Sequence, residues 1–394
     1  MVVSVETVHD AEVDLGAYRA KVRAWCEATE IPLVPRDEEE AFTVLRQWQR
    51  TLFDGGMLGI AWSTLAGGQG LTAAHQLIVA EELARVQAPQ PIGIIGLEVV
   101  GPTIDAYGTE EQRRSLLPRL LSGEDIWCQG FSEPEAGSDL ASLRTRGRIE
   151  DDAFVVNGQK VWTSWAHKAA WCALLTRTAP DAPKHAGISY LLVDMRSEGV
   201  TARTITQMTG ETEFCEVYFD DVRVPKQNLL GELNDGWAMA MDTLAHERGG
   251  TALRNSVLYQ VSLAQAVDEV RAGLVTGAEP SDELCQQIGK ATIAVAGLEA
   301  QTRHTADRLL AGDVPSPFDS IDKSALSWTE QRVHTAIEQL LGVHRLAQDT
   351  TPHGLASGRW VRDHLYSRAA SIYGGSEQVQ KNIIAKRLLR MPHE

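Results

Sequence analysis

The spacing of apolar and polar residues changes twice along the chain. Up to about residue 122, apolar residues recur every three or four positions, which is typical of amphipathic helices. From about 126 to 233, short β-prone runs alternate with polar breaks, and beyond 236 the helical spacing returns. This pattern predicts an N-terminal helical domain over 1–125, a middle β-domain over 126–233 and a C-terminal α-helical domain over 234–394.

Capping signals locate two of the N-terminal helices. Thr109 with Gln112 forms a capping box before the run EEQRRSLLPRLL, and Gly123 stands where that helix should end. Thr72 predicts the start of an earlier helix, whose apolar stripe runs from Leu77 to Val86.

The middle part predicts an antiparallel β-barrel or sandwich. Asn157-Gly158 separates two β-prone runs in AFVVNGQKVW and predicts a hairpin turn. The runs GISYLLVDM, VTARTITQM and FCEVYFDDVRV follow at strand length, and Pro225 ends the last of them. Several short strands without helices between them argue against a doubly wound parallel sheet.

The C-terminal part predicts a helix bundle. Four long helical runs begin at Trp237, Thr251, Asp282 and Ser324, which is enough for a bundle. The break at 277–280 and the segment 312–317 contain glycine and proline and are predicted loops.

The charge of the chain narrows the classes of partner. The 394 residues include 37 lysines and arginines and 53 acidic residues, for a net charge of −16. So negative a surface repels nucleic acid, although a phosphorylated small ligand can still bind in a local pocket.

Glu98 interrupts the longest apolar run before it reaches the roughly 18 residues of a membrane span. The acidic N-terminus lacks the pattern of a secretory signal.

The five cysteines are odd in number and far apart, which fits neither a disulfide framework nor a zinc motif. We interpret them as buried thiols of a protein in the reducing cytoplasm. The sequence also contains no Gly-x-Gly-x-x-Gly after a strand, no Walker loop and no His-Glu-x-x-His. Its 11 histidines lack the spacing of metal ligands, and we predict no metal site.

Two segments of the middle part have residues suited to a polar heteroaromatic ligand. In WCQGFSEPEAGSDLASL, at 127–143, a loop presents hydroxyls and backbone N–H groups that suit a ring edge or a carbonyl. An ordinary turn explains it equally well. In NGQKVWTSWAHKAAW, strand alternation places Trp162 and Ser164 on one face, as a floor for a flat ring. A cross-strand packing pair is the alternative.

The segment LAHERGG contains a candidate general base. Glu247 follows Leu244 by three positions and Ala240 by seven, so the three residues share one helix face. A carboxylate turned towards an apolar interior has a raised pKa, which suits a general base near neutral pH. A solvated pair of Glu247 and Arg248 is the alternative.

These segments, in their order along the chain, resemble the acyl-CoA dehydrogenase family from about residue 15 to the C-terminus. FSEPEAGSDLASL resembles the first signature of the family, and NGQKVWTSWA resembles its flavin-stacking strand. FDDVRVPKQNLLGELNDGW resembles the junction between strands and bundle, and IYGGSEQVQKNIIAKRLL resembles the second signature. The resemblance implies a helical domain, a β-barrel domain and a four-helix bundle.

The same resemblance implies FAD as the cofactor and an acyl-CoA thioester as the substrate. Gln129, Phe131 and Ser132 would contact the flavin, the last two on the pyrimidine side of its ring. Trp162 would lie against the ring, with Ser164 near its N5 edge. The implied product is a trans-2-enoyl-CoA, and the implied electron acceptor is an electron-transfer flavoprotein.

Further contacts are implied outside this strand and loop. Ser138 would line the acyl-CoA channel, and Ser376, Gln378 and Gln339 would contact FAD from the C-terminal domain. That domain contains fewer of the FAD-binding motif residues than is usual in the family. We therefore expect either a homo-oligomer with altered FAD contacts or a heterotetramer with a second dehydrogenase-like chain.

The tail departs from the family pattern at the position of the usual base. Many members read Ile-Tyr-Glu-Gly, whereas this chain has glycine at position 374. A minority has the base on the first bundle helix, immediately before an arginine, which matches Glu247 and Arg248. We therefore predict Glu247 as the base, Arg248 as a substrate contact, and Gly374 as a backbone donor that leaves room for a bulky acyl group.

The sequence is also compatible with two other functions. One is a catalytically silent subunit that only supports a partner's flavin, which the missing tail glutamate favours and Glu247 opposes. The other is a flavin monooxygenase on the same scaffold, which needs no carboxylate base.

Overall fold

The computed structural model shows helices, a β-sheet and a second set of helices, in the predicted order. It describes residues 14–35, 37–272, 281–311, 316–342 and 359–392. At positions 245–251, 253, 309 and 310 the structure describes the helical backbone but not the side chains. The boundaries proposed between the three domains stay predictions.

Among the described residues, five α-helices form the N-terminal part, and both predicted caps are confirmed. Thr109 and Gln112 make a reciprocal capping box, and Thr72 makes one with His75. A π-helical turn at Gly96–Val100 precedes the fourth helix. The helices are α1 (Leu15–Ala28), α2 (Glu38–Asp54), α3 (Ala73–Arg85), α4 (Gly101–Tyr107) and α5 (Glu110–Leu121).

The middle part forms one mixed sheet of eight strands. The strands are β1 (Trp127–Gly130), β2 (Arg146–Glu150), β3 (Ala153–Ser164), β4 (Trp171–Arg177), β5 (Ile188–Asp194), β6 (Val200–Ile205), β7 (Phe214–Pro225) and β8 (Leu229–Leu230). Their order is β6-β7-β3-β2-β4-β5-β8, with β1 pairing with β4. Most neighbours are antiparallel, whereas β1 and β2 run parallel to β4. The predicted β-domain, and the end of its last long strand at Pro225, are confirmed.

The predicted hairpin at Asn157-Gly158 is wrong. Both residues lie inside β3, at a bulge in its pairing with β7, and the hairpin turn lies at Asp151–Asp152. Asn157 uses its amide to bond Asp221 on β7, with Nδ2 2.8 Å from Asp221 Oδ1. Long-range pairing with β7 thus overrides the local turn preference of Asn-Gly.

In the described ranges of the C-terminal part, three long helices are followed by a helical tail. They are α6 (Gly236–Arg271), α7 (Asp282–Leu310), α8 (Asp319–Leu341), α9 (Arg359–Tyr366) and α10 (Glu377–Ile383). The two runs beginning at Trp237 and Thr251 are one continuous helix, α6. The predicted loop at 277–280 lies outside the described residues, as does most of the loop at 312–317.

One hydrophobic core joins the N-terminal helices, the sheet and the start of α6. It contains Leu117 of α5, Trp127 of β1, Tyr190 of β5 and Ala240 of α6, all of which are almost completely buried. Because these side chains pack together, the positions of β1, β5 and the first turns of α6 depend on one another.

Four of the five cysteines are buried, as predicted, but Cys285 on α7 is exposed. It lies in the first turn of that helix. Among the described residues, no helix is both long and apolar enough to cross a membrane.

Replacement of Gly158 by alanine is expected to destabilise the protein. A Cβ there would lie 2.5 Å from Thr145 Oγ1 and 2.7 Å from Thr145 Cα, so Gly158→Ala should lower the free energy of unfolding by about 1–3 kcal/mol. Gly289→Ala on α7 is the control, because its Cβ meets nothing within 4 Å and alanine should stabilise that helix by about 0.5–1 kcal/mol. Urea unfolding measures both, and a neutral Gly158→Ala would contradict the prediction.

Candidate active site

The end of β3 presents Trp162 and Ser164 on its more exposed face. Thr163 between them is fully buried, whereas Trp162 is 59% exposed. A bulge between Lys160 and Thr163 interrupts the pairing with β7, and the Trp162 backbone adopts a φ of +59°. The ring of Phe214 contacts the indole edge-to-face, with 6.1 Å between centroids. An exposed indole beside a hydroxyl offers the flat surface that a heteroaromatic ring requires.

A buried ion pair holds the loop after β1 against this strand. Lys160 is fully buried, and its Nζ lies 2.8 Å from Glu133 Oε1 and 3.0 Å from the carbonyl oxygen of Phe131. The backbone N–H of Arg144 donates to the other Glu133 oxygen at 2.6 Å. Burial raises the pKa of Glu133, but Lys160 and the backbone donor bring it below its usual value. The loop is therefore fixed beside the strand that carries Trp162.

Three predicted flavin contacts lie at the end of β1 and in the loop that follows it. The N–H of Val161 on β3 donates to the carbonyl of Ser132 at 3.0 Å, and Phe131 packs edge-on against Tyr190 at 5.7 Å between centroids. Within the described part of the chain, Gln129 Nε2 is buried and has no hydrogen-bond partner. A buried donor without a protein partner is uncommon and fits a place where a ligand accepts the hydrogen bond.

Three consecutive residues before β7 connect this strand end to the N-terminal and C-terminal helices. Arg362 Nε on α9 donates to Glu211 Oε1 at 2.6 Å. The Thr212 N–H donates to Glu38 Oε2 on α2 at 3.1 Å. Elements from all three parts of the chain thus meet at the open end of β3 and β7.

Glu213 is the third residue of this junction and the one nearest the predicted flavin contacts. Its carbonyl accepts a hydrogen bond from the Trp165 N–H at 2.7 Å, and the next residue, Phe214, pairs with Ser164 in the sheet. Desolvation, assisted by the negative charge of Glu211, raises the pKa of Glu213 to about 7. The junction therefore contains a buried carboxyl group whose pKa is raised above its usual value.

The tail of the chain lies against α8 and α9. Lys323 Nζ on α8 lies 4.3 Å from the centroid of the Tyr373 ring, and the rings of Tyr366 and Tyr373 are 6.3 Å apart. Gly374 and Gly375 have φ values of +62° and +86°. Because this left-handed backbone favours glycine, a glutamate at position 374 would be strained.

Glu247 and Arg248 lie on α6, but their side chains are outside the described residues. Four and seven positions before Glu247, Thr243 and Ala240 are completely buried. Thr243 Oγ1 lies 2.8 Å from Thr103 Oγ1 on α4. Position 247 shares its helix face with Thr243 and Ala240. One and two turns before position 247, that face is therefore directed towards the protein interior.

Four other predicted contacts lie away from this strand end. Ser138, Gln378 and Gln339 are exposed, and the Ser376 hydroxyl accepts the Val379 N–H at 3.4 Å as the N-cap of α10. None of the four hydrogen-bonds with β3 among the residues that the structure describes. Their roles stay predictions.

Sequence reasoning missed Lys160, Glu133 and Glu213. A signal for Lys160 was present, because it lies in phase with the buried Phe154 and Val156 of β3, and an inward-facing lysine requires an acidic partner. No local signal marks Glu213, since its environment arises only when β7 pairs with β3.

Comparison with models of known protein families shows to which family this chain belongs. The models described as the acyl-CoA dehydrogenase N-terminal, middle and C-terminal domains match residues 14–124, 128–222 and 234–389. The chain belongs to the acyl-CoA dehydrogenase family and is a flavin-dependent oxidoreductase. Its predicted fold class is confirmed. Among the described residues, no group of three or more His, Cys, Asp or Glu side chains could hold a metal ion.

Relatives and solved structures cover nearly the whole chain. Acyl-CoA dehydrogenase IpdE1 of Mycobacterium tuberculosis is 39% identical over 390 residues, which are 97% of this chain and 99% of that protein. The Tcur3481-Tcur3483 steroid ACAD has 28% identity and a TM-score of 0.85, over 98% of this chain and 99% of that one. The ChsE4-ChsE5 complex from Mycobacterium tuberculosis has 29% identity and a TM-score of 0.80, over 100% of both chains.

Removal of the buried lysine tests its structural role. We expect Lys160→Met to lower the free energy of unfolding by about 3–5 kcal/mol, because it leaves the Glu133 carboxylate buried without its cation. Lys381→Met is the control, since Lys381 is 66% exposed and pairs with Glu377 on the same helix, and it should cost at most about 0.5 kcal/mol. Equal losses in thermal or urea unfolding would contradict this assignment.

Proposed function

We propose that the protein dehydrogenates an acyl-CoA thioester between its α and β carbons, with FAD as cofactor. Family membership supports this reaction class. The observation that carries the proposal is the end of β3, where the exposed Trp162 indole lies beside Ser164. The unpartnered Gln129 donor lies on β1, just before the adjoining loop.

These residues fit a flavin ring. Trp162 would support its face, Ser164 would hydrogen-bond near N5, and Gln129 would donate to the polar pyrimidine edge, with Phe131 and Ser132 beside it. Lys160 and Glu133 would hold the loop and strand at a fixed separation. Because Lys160 and Glu133 are buried, hydrogen bonds close to them form in surroundings of low polarity, which strengthens them.

Glu247 is the proposed general base. It would accept the α-proton of the thioester, while the Gly374 N–H donates to the thioester carbonyl and stabilises the developing enolate. Bound flavin supplies the acceptor for the β-hydrogen. The strained position of any side chain at 374 supports a base on α6, and the buried Ala240 and Thr243 support an inward direction at this end of the helix.

The acyl group is proposed to be bulky, such as a steroid-derived acyl group. A solved structure of similar fold is described as a steroid ACAD, and glycine at position 374 leaves space beside the thioester. Ser138 and Arg248 would contact the acyl-CoA. A straight-chain fatty acyl group is the competing substrate class.

A second dehydrogenase-like chain is proposed to complete the FAD site. Gln339 and Gln378 are exposed on α8 and α10, so their contacts with FAD would lie between chains. The ChsE4-ChsE5 and Tcur3481-Tcur3483 structures each combine two named chains. A homo-oligomer is the alternative, and an electron-transfer flavoprotein is the proposed electron acceptor in both cases.

The base assignment is tested by anaerobic mixing of the FAD-loaded protein with acyl-CoAs while flavin absorbance is followed. We expect Glu247→Gln to slow bleaching by at least about 10²–10⁴-fold, because the amide cannot accept the proton, while FAD stays bound. Asp268→Asn is the matched control on α6, where the Asp268 side chain is 73% exposed, and it should bleach at the normal rate. Undiminished bleaching by Glu247→Gln would remove the base from this residue.

The partner proposal is tested by flavin content. Purified alone, the chain should contain less than one FAD per polypeptide, because Gln339 and Gln378 lack a partner surface. Co-purified with a second chain of the same family from the same organism, it should form a heteromer with its flavin sites filled. Light scattering and the flavin-to-protein absorbance ratio measure both. A homo-oligomer with one FAD per chain would contradict the heteromer.

A further inference from the structure

The turn that contains Gly374 is held from two sides by buried polar side chains. On one side, Lys323 and Ser327 of α8 both donate to the carbonyl of Ala370, at 3.0 and 2.7 Å, and all three residues are buried. On the other side lies Gln380 of α10, which is almost completely buried. The proposed reaction assigns no role to either Lys323 or Gln380.

The ammonium group of Lys323 also contacts the residue immediately before the glycine. Its Nζ lies 4.3 Å from the centroid of the Tyr373 ring, which is within the range of a cation–π interaction. Together with the hydrogen bond to Ala370, one buried group thus contacts the turn at two points. Because both interactions are stronger away from water, they fix the path by which the chain reaches position 374.

The side-chain amide of Gln380 fixes the other end of the turn. Its Nε2 lies 3.3 Å from the carbonyl oxygens of both Gly374 and Gly375. A Cβ at position 375 would lie 2.5 Å from this nitrogen, so the amide can approach this closely because residue 375 is glycine. The carbonyl of Gly374 is therefore held on the side of α10.

These contacts leave the Gly374 N–H available for a ligand. The N–H groups of the two preceding residues, Ile372 and Tyr373, both donate to the Ala369 carbonyl, at 2.8 and 3.0 Å. Within the ranges that the structure describes, the N–H of Gly374 donates to no protein group. A donor that is held in place and not already bonded needs little reorganisation when a carbonyl binds, which is what stabilisation of a developing enolate requires.

We propose that Lys323 and Gln380 are positioning residues of the dehydrogenation, which together hold the Gly374 N–H in the direction that donates to the thioester carbonyl. The inference rests on the proposed function, in which this N–H is the carbonyl donor. Both residues act through the turn and need not contact the substrate. Their role does not depend on the assignment of the general base or on the identity of the acyl group.

The first measurement is the infrared carbonyl stretch of a bound trans-2-enoyl-CoA with carbon-13 at its thioester carbonyl. The acyl-CoA that bleaches the flavin fastest defines the acyl group of this probe, and the probe itself does not turn over. In the complete FAD-loaded protein, binding should shift the stretch to lower wavenumber, because a hydrogen bond weakens the C=O bond. Lys323→Met and Gln380→Met should each lose much of this shift.

The second measurement is anaerobic flavin bleaching over a range of acyl-CoA concentrations. Each methionine variant should lower the maximal rate by about 10–10²-fold, because the enolate loses a positioned donor. The acyl-CoA concentration at half-maximal rate should change by at most about threefold, because the bound thioester carries less charge on its oxygen than the enolate does. Lys323→Arg keeps a cation that can contact both Ala370 and Tyr373, so it should recover most of the rate.

Lys381→Met is the matched control. Lys381 follows Gln380 on α10, but its side chain is 66% exposed and pairs with Glu377, so the carbonyl shift and the bleaching rate should stay unchanged. The two test variants also check each other. Lys323→Met removes a buried charge, whereas Gln380→Met changes no charge, so an effect that both share comes from the turn.

The outcomes separate this inference from the proposed function. If Lys323 and Gln380 have only a structural role, their methionine variants will be less stable or contain less FAD, but the FAD-loaded fraction will show the full carbonyl shift and the normal rate. That result would overturn the inference and leave the proposed function intact. A full shift in one variant alone would overturn the role of that residue.

Two results in the unmodified protein would instead refute what the inference rests on. The absence of any carbonyl shift would refute the Gly374 donor, even if acyl-CoA bleaches the flavin. The absence of bleaching by every acyl-CoA would refute the proposed function itself. The inference would fail with either of them.

Discussion

The ion pair between Lys160 and Glu133 is the constraint on which the site depends. Both side chains are buried, so neither charge tolerates the loss of the other. The pair connects the middle of β3 to the loop after β1, and the same lysine bonds the carbonyl of Phe131. The indole of Trp162 and the donor of Gln129 consequently keep a fixed relation to each other. A ring bound as proposed, with its face on Trp162 and its edge at Gln129, would require such rigidity.

The second constraint is the junction at Glu211, Thr212 and Glu213. Glu211 bonds to α9, Thr212 bonds to α2, and the Glu213 carbonyl accepts from Trp165 just after β3, so the helices at both ends of the chain meet where β3 and β7 open. Small movements of α9 would therefore reach the end of β3 through a few hydrogen bonds. A partner chain that binds the exposed faces of α8 and α10 would act on the same helices.

Local patterns predicted much of the fold and less of the site. Thr109 and Thr72 cap helices as expected, because a capping box depends only on residues three positions apart. Asn157-Gly158 misled the prediction, because pairing with β7 outweighs a turn preference. Trp162 was found through its strand pattern and the family resemblance. Glu213 was not predicted, because its burial and the negative charge of Glu38, which both raise its pKa, depend on segments that are distant in the sequence. At Gly374, backbone geometry adds a reason for glycine that the sequence pattern could not show.

The most direct test of the whole arrangement is a crystal structure of the protein, with its partner if one is needed, bound to FAD and a non-oxidisable acyl-CoA. The arrangement predicts the flavin ring against Trp162, Ser164 Oγ at hydrogen-bond distance from N5, and a Glu247 carboxylate oxygen about 3–3.5 Å from the α-carbon on the opposite face of the thioester. A flavin bound elsewhere, or a Glu247 side chain directed into solvent, would contradict it.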